Sequence, residues 1–96
     1  MKPSEALNKN RVQIRQIVAS HHASNARVFG SVAKGEDTNQ SDLDILIEPT
    51  NETTLFDIGA IRRKLKDLLG VTVDVLTPNS LPDHFREEVI ASSVPV

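Results

Sequence analysis

The sequence reads as an α/β (α+β) domain: a small mixed three-stranded β-sheet flanked by helices, in the order α-β-β-α-β-α. Three observations carry that reading. Apolar residues recur at helical spacing over residues 5–19, 55–69 and 82–91. Short runs rich in Val, Ile and Leu, closed by Gly or Pro, stand at residues 26–29, 42–48 and 71–76. The last two runs enclose a helix, and a strand-helix-strand unit of this length joins parallel neighbouring strands through a right-handed crossover.

Taken in order, Ser4 is placed to cap a first helix in which Leu7, Ile14, Ile17 and Val18 form one apolar stripe. His21 and His22 end it. Adjacent side chains on a regular backbone face different ways and no third ligand stands near, so the pair reads as a helix end rather than a metal site. Residues 26–29 make a short strand closed by Gly30. Residues 31–41 are small and polar and read as a loop, with one helical turn at residues 32–34. In the strand over residues 42–48, Leu43, Ile45 and Ile47 share a wholly apolar face, and Pro49 stops it. Thr53 or Thr54 caps the next helix. Its apolar positions are Leu55, Ile58, Ile61, Leu65, Leu68 and Leu69, and Gly70 suits its C-terminal end. Arg62, Arg63, Lys64 and Lys66 form its wet face. In the third strand Val71, Val73 and Val75 share one face, which leaves Asp74 on the other. Pro78-Asn79-Ser80 breaks that strand, a last helix directs Phe85, Val89 and Ile90 to the core, and residues 92–96 read as a tail.

At 96 residues and 39% apolar content the chain makes one domain, residues 1–96, with one core and one crevice. A net charge of -2 supplies no basic field for direct nucleic-acid binding. The absence of cysteine excludes disulfides and thiolate metal sites. No apolar run approaches the ~20 residues of a membrane span, and residues 1–5 lack the apolar segment of a signal peptide, so a cytoplasmic location without a membrane partner is expected. Phe29, Phe56 and Phe85 are the only aromatics, too few for a base-stacking platform.

The chemistry concentrates between Phe29 and Ile47. Gly30-Ser31 is followed by ten residues and then by Asp42-Leu43-Asp44. Aspartates two apart in a strand point the same way, about 6 to 7 Å from each other. Like charges that close repel unless a cation lies between them, and carboxylate oxygens favour a hard ion such as magnesium. Parallel pairing of the second and third strands brings Asp74 beside Asp42 and Asp44. Three converging carboxylates suit a two-metal site for phosphoryl or nucleotidyl transfer. Gly30 lets backbone amides approach a phosphate, Ser31 adds a hydroxyl, and Lys34 brings a point charge to a triphosphate. Each signal is weak alone: Asp-x-Asp is common, Gly-Ser suits any tight turn, and a lone strand aspartate usually faces solvent. Their order and spacing together are what point to a site.

That string, Phe-Gly-Ser-Val-Ala-Lys-Gly-Glu through Ser-Asp-Leu-Asp-Ile-Leu-Ile, resembles the minimal nucleotidyltransferases (MNT) of the DNA polymerase β superfamily. Gly30-Ser31, Asp42-Leu43-Asp44 and Asp74 match its signature, and the similarity spans nearly the whole chain. The resemblance implies the nucleotidyltransferase fold, catalytic and metal-binding roles for Asp42, Asp44 and Asp74, a pair of Mg²⁺ ions, ATP as substrate, and nucleotide contacts from Gly30, Ser31, Lys34 and Ser41. Many members carry Arg where this chain has Lys34, which keeps the charge and loses the bidentate fork. Small MNT proteins often act as antitoxins to HEPN-domain ribonuclease toxins, and several transfer AMP from ATP to a tyrosine of the toxin. The implied role is thus a protein adenylyltransferase antitoxin in a hetero-oligomer with a HEPN toxin. The chain contains no tyrosine and cannot supply that acceptor itself. Two alternatives stand beside it: an antitoxin acting by binding alone, and a small-molecule nucleotidyltransferase working with a separate acceptor-binding subunit.

Overall fold

The computed structural model describes all residues, Met1–Val96. In chain order it contains α1 (Pro3–Lys9), α2 (Arg11–Ser20), β1 (Ala23–Phe29), β2 (Leu43–Pro49), α3 (Leu55–Leu69), β3 (Val73–Leu76), a 3₁₀ turn (Pro78–Ser80), α4 (Asp83–Ser92) and β4 (Val94–Pro95). The sheet order is β3-β2-β1-β4. β2 and β3 run parallel, as the intervening helix requires, while β1 is antiparallel to both β2 and β4. No helix is long and apolar enough to cross a membrane.

One face of the sheet is the core. Leu43, Ile45 and Ile47 are fully buried there with Ile14 and Val18 of α2 and Ile61, Leu65 and Leu69 of α3. The other face begins with Asp44 and continues with Leu46, which is also buried. Thr54 starts α3 reciprocally: its hydroxyl accepts the Asp57 N–H at 3.2 Å, and its own N–H donates to Asp57 Oδ2 at 2.9 Å. Gly70 ends α3 in the left-handed conformation, φ 68°.

Several sequence expectations are corrected. The first helix is two helices, parted at Asn10, whose backbone (φ -130°, ψ 22°) leaves the helical region while its side-chain amide donates to the Ala6 carbonyl at 2.9 Å. Ser4 does not cap it. Pro3 sets the start, and the Ser4 N–H, inside the first turn, donates to Asp37 Oδ2 at 2.9 Å. β1 begins three residues earlier than expected, and positive φ at Asn25 accompanies a bulge that shifts its register against β2. β2 begins at Leu43 rather than Asp42, and β3 at Val73 rather than Val71. The rings of His21 and His22 both meet one carboxylate, Asp57, at 3.4 and 3.3 Å, because positive φ at His22 turns the chain.

The expected tail supplies a fourth strand. Val94 and Pro95 pair with β1, the Val96 N–H donates to the Ala26 carbonyl at 2.9 Å, and the Val96 side chain joins the core. Arg27 fastens this end through Ser93 Oγ at 2.6 Å. α4, expected to bury Phe85, Val89 and Ile90, buries none of them fully; Phe85 is 50% exposed. It is held instead by Arg86, which donates to the Pro78 and Leu81 carbonyls at 2.7 and 3.0 Å. Leu81, in the connection before α4, is the residue that goes inside. This division predicts a contrast in chemical denaturation: Ile47→Ala should cost about 2–5 kcal/mol, whereas Phe85→Ala, removing a half-solvated ring, should cost about 1 kcal/mol or less.

Candidate active site

Two strand pairings build the site at one end of the sheet. Antiparallel register sets Phe29, the last residue of β1, opposite Asp44. Parallel register sets Asp74 of β3 opposite the same residue on its other side. Asp44 is thus flanked by an aspartate and by the turn that Gly30 opens. Asp42, one residue before β2, is exposed, Asp74 is exposed, and Asp44 is partly buried. None of the three carboxylates forms a hydrogen bond or ion pair within the chain, although both neighbours act on Asp44. Burial first, then the charges of Asp74 and Asp42, push the Asp44 carboxyl above the ordinary range.

Gly30 is required where it stands. Its φ is +73°, and a Cβ built there would run into Oδ2 of Asp44. The chain then closes a single helical turn, in which the Lys34 N–H donates to the Gly30 carbonyl at 3.2 Å and the Glu36 N–H to the Ser31 carbonyl at 2.9 Å. Buried Val32 pins this turn to the core. The N–H groups of Ser31, Val32 and Ala33 donate to no carbonyl of the chain, which leaves a small set of free donors beside the carboxylates. A crevice of about 240 Å³ lies between the turn and α4, lined by Phe29, Gly30, Lys34, Phe85, Glu88 and Val89 among others.

Ser41 is placed differently from Gly30, Ser31 and Lys34. Its hydroxyl accepts the Thr38 N–H at 2.9 Å, so it closes the loop ahead of Asp42, and it lines a separate concavity with Asp42, Gly70 and Thr72. Asp37 is a positioning residue that the pattern did not disclose. It is buried, and the Ser4 amide holds its carboxyl below the ordinary range. This bond ties the loop between Gly30 and Asp42 to the first turn of α1. In sequence it is one more acidic residue in a polar loop.

The donor set suits a hard divalent cation: oxygens only, no competing ion pair, and mutual repulsion that a cation would relieve. The three carboxylates are not drawn into a closed cage of their own. Phosphate oxygens of a substrate would be needed to complete such a coordination shell. The arrangement can therefore hold a metal-bound triphosphate against a carboxylate-lined sheet end, with free backbone donors on one side.

Two outcomes follow from the crowding at Asp44. Because its folded-state value is raised, Asp44 stabilises the fold only where it is protonated, and that contribution is lost as pH rises through the raised value. Asp44→Asn should accordingly raise the melting temperature at pH 7 in metal-free buffer by a few degrees, with the gain shrinking as pH falls through that raised value and absent below about pH 4, where the carboxyl is protonated in both states. Gly30→Ala should cost about 1–3 kcal/mol in denaturant titration, from the forced positive φ and the displaced Asp44 side chain.

The nucleotidyltransferase domain family profile matches residues 11–96. A relative from Methanocaldococcus jannaschii, whose name assigns it protein adenylyltransferase activity by inference, is 33% identical over 90 residues, covering 94% of this chain and 97% of its own. A solved structure described by inference as a minimal nucleotidyltransferase superposes with a TM-score of 0.87 at 38% identity, covering 97% of this chain and 95% of that one. A toxin-antitoxin crystal structure with AMP-PNP shares the fold, with a TM-score of 0.74 at 20% identity over 93% of this chain and 72% of the other. With most of its length matched by the family profile, and relatives of nearly its own size, the chain belongs to the nucleotidyltransferase domain family, among the minimal nucleotidyltransferases whose relatives are named protein adenylyltransferases.

Proposed function

We propose that this nucleotidyltransferase is a magnesium-dependent antitoxin that transfers AMP from ATP to a tyrosine of a cognate HEPN ribonuclease toxin in the cytoplasm. The observation that carries the site assignment is the register that sets Asp74 and Phe29 on either side of Asp44, with Gly30 against its carboxylate. Asp42 and Asp44 would hold the metal, with Asp74 as a third ligand or as the base. When bound, the magnesium pair neutralises the triphosphate and polarises its α-phosphoryl group. The chain's own groups do the rest. Ser31 and the free amides of the turn bind phosphate oxygens, and Lys34, exposed on that turn, reaches the outer phosphates as a point charge. Asp74, exposed at the sheet end, takes the proton of the acceptor hydroxyl. The acceptor oxygen forms its bond to the α-phosphorus as the bond to the bridging oxygen breaks, and pyrophosphate leaves.

Support for a protein acceptor comes from the names of the relatives; the absence of tyrosine excludes the chain as its own tyrosine acceptor. The toxin-antitoxin neighbour supports a toxin as the molecule that carries it. The experiment combines the chain, magnesium, labelled ATP and the product of the neighbouring open reading frame. Label should appear on that product, and Asp42→Asn with Asp44→Asn should lower the rate by at least about 10³-fold. A partner that is neutralised yet stays unlabelled would replace this reading with neutralisation by binding alone. AMP appearing only on a low-mass acceptor would assign the small-molecule reaction.

A further inference from the structure

The outward side of α3 carries features that neither the core nor the aspartate site uses. Leu55 and Phe56 are 85% and 90% exposed, the most exposed large apolar side chains of the chain. They are also held rigidly, since the cap beneath them is doubly tied. Thr54 and Asp57 bond each other, and His21 and His22 both approach the Asp57 carboxylate. One turn on stands Gly59. A glycine inside a helix destabilises it relative to alanine, and here no internal packing calls for one: a Cβ built on Gly59 meets nothing within 4 Å. Beyond it Arg62, Arg63 and Lys66 line a concavity of about 260 Å³ with Gly59; none of the three forms an ion pair, and only Arg62 has a partner in the chain, donating its Nε–H to the Val73 carbonyl at 3.3 Å.

These six positions, spaced by three, four or seven, form one stripe along the helix. α3 buries Ile61, Leu65 and Leu69 against the core face of the sheet, so the stripe turns away from it, while Asp44 lies on the opposite sheet face. An apolar pair, a notch without a Cβ and a row of cations without carboxylate partners specify a complement. The pair needs an apolar pocket or anchor, the notch admits a close helix crossing, and the cations need carboxylates. Nucleic acid would satisfy the cations and leave Leu55 and Phe56 in water.

We infer that this stripe of α3 is a docking surface for the toxin partner, and that the segment it receives is an acidic amphipathic helix with an apolar anchor. The inference rests on the antitoxin reading above and extends it: holding the partner and modifying it are made by different faces of the chain. The stripe grips a helix whose carboxylates lie along Arg62, Arg63 and Lys66, while the aspartates remain open to the acceptor.

The test is the affinity of the full chain for the neighbouring gene's product, by titration calorimetry at fixed salt, for Phe56→Asp, Arg63→Glu/Lys66→Glu and Gly59→Ala. Each variant should weaken the complex about tenfold or more. Binding of a fluorescent ATP analogue should be unchanged. Gly59→Ala should raise the melting temperature of the isolated chain while weakening the complex, a pairing that a purely structural glycine would not produce. Affinities within twofold of the unsubstituted chain overturn the inference and leave the transferase reading standing. Stripe-dependent binding without AMP transfer leaves the inference standing and removes the transferase reading. Absence of any complex overturns the inference and the antitoxin role together. A dimer of the chain alone that Phe56→Asp dissolves, or stripe-dependent binding to phosphatidylserine vesicles in place of the partner, assigns the surface elsewhere and overturns it.

Discussion

Asp44 is a carboxylate held at the end of a packed sheet, facing a second aspartate across the ladder and a backbone turn on its other flank. Its position admits no relaxation. The side chains on either side of it along β2, Leu43 and Ile45, are fully buried, so the strand cannot rotate to release the charge into water. Antiparallel pairing with β1 sets Phe29 against it, and parallel pairing with β3 sets Asp74 against it. The electrostatic cost of that arrangement is borne by the core on the opposite face, which supplies the apolar burial needed to keep the strands in register. Unpaired like charges held together cost the domain stability, and the raised proton affinity of Asp44 is the sign of that tension.

The rest of the open face is arranged around this point. Gly30 is where it is because any larger residue would occupy the space of the Asp44 carboxylate. The turn it opens is anchored by Val32 from below, and the loop that follows is tied to α1 by Asp37. α4 borders the crevice without sealing it. Arg86 braces its start against the carbonyls of the preceding turn and Arg27 of β1 holds Ser93 at its end, while its aromatic residue stays half in solvent. A loosely packed wall beside a rigid sheet end leaves the crevice open on that side.

The two faces of the domain therefore answer different demands. One is closed by α1, α2 and α3 and carries the stability. The other leaves its three aspartates without internal partners, and on the outward stripe of α3 Leu55, Phe56, Arg63 and Lys66 remain equally unanswered. The packing of α3 on the core does not account for a glycine in the middle of that helix with open space over it.

Much of this was legible in the chain alone because it depends on local rules. Alternation places Leu43, Ile45 and Ile47 on one face whatever surrounds them, and a strand, helix and strand of these lengths permit little except a parallel pair, which carries Asp74 to Asp44. Caps at Thr54 and Gly70 bracket α3 by their own chemistry. What the tertiary structure decided lies where local signals are weak or where distant segments meet. Two residues of β4, one of them proline, signal no strand until β1 offers an edge. Asn10 divides a stripe that periodicity reads as continuous. α4 has the spacing of a core helix, and only the end of the sheet it sits on leaves Phe85 half outside. Asp37 looks solvated until the Ser4 amide, 33 residues earlier, takes it as an acceptor. Periodicity records which residues prefer to leave water; which surfaces are available to receive them is settled when the whole chain is packed.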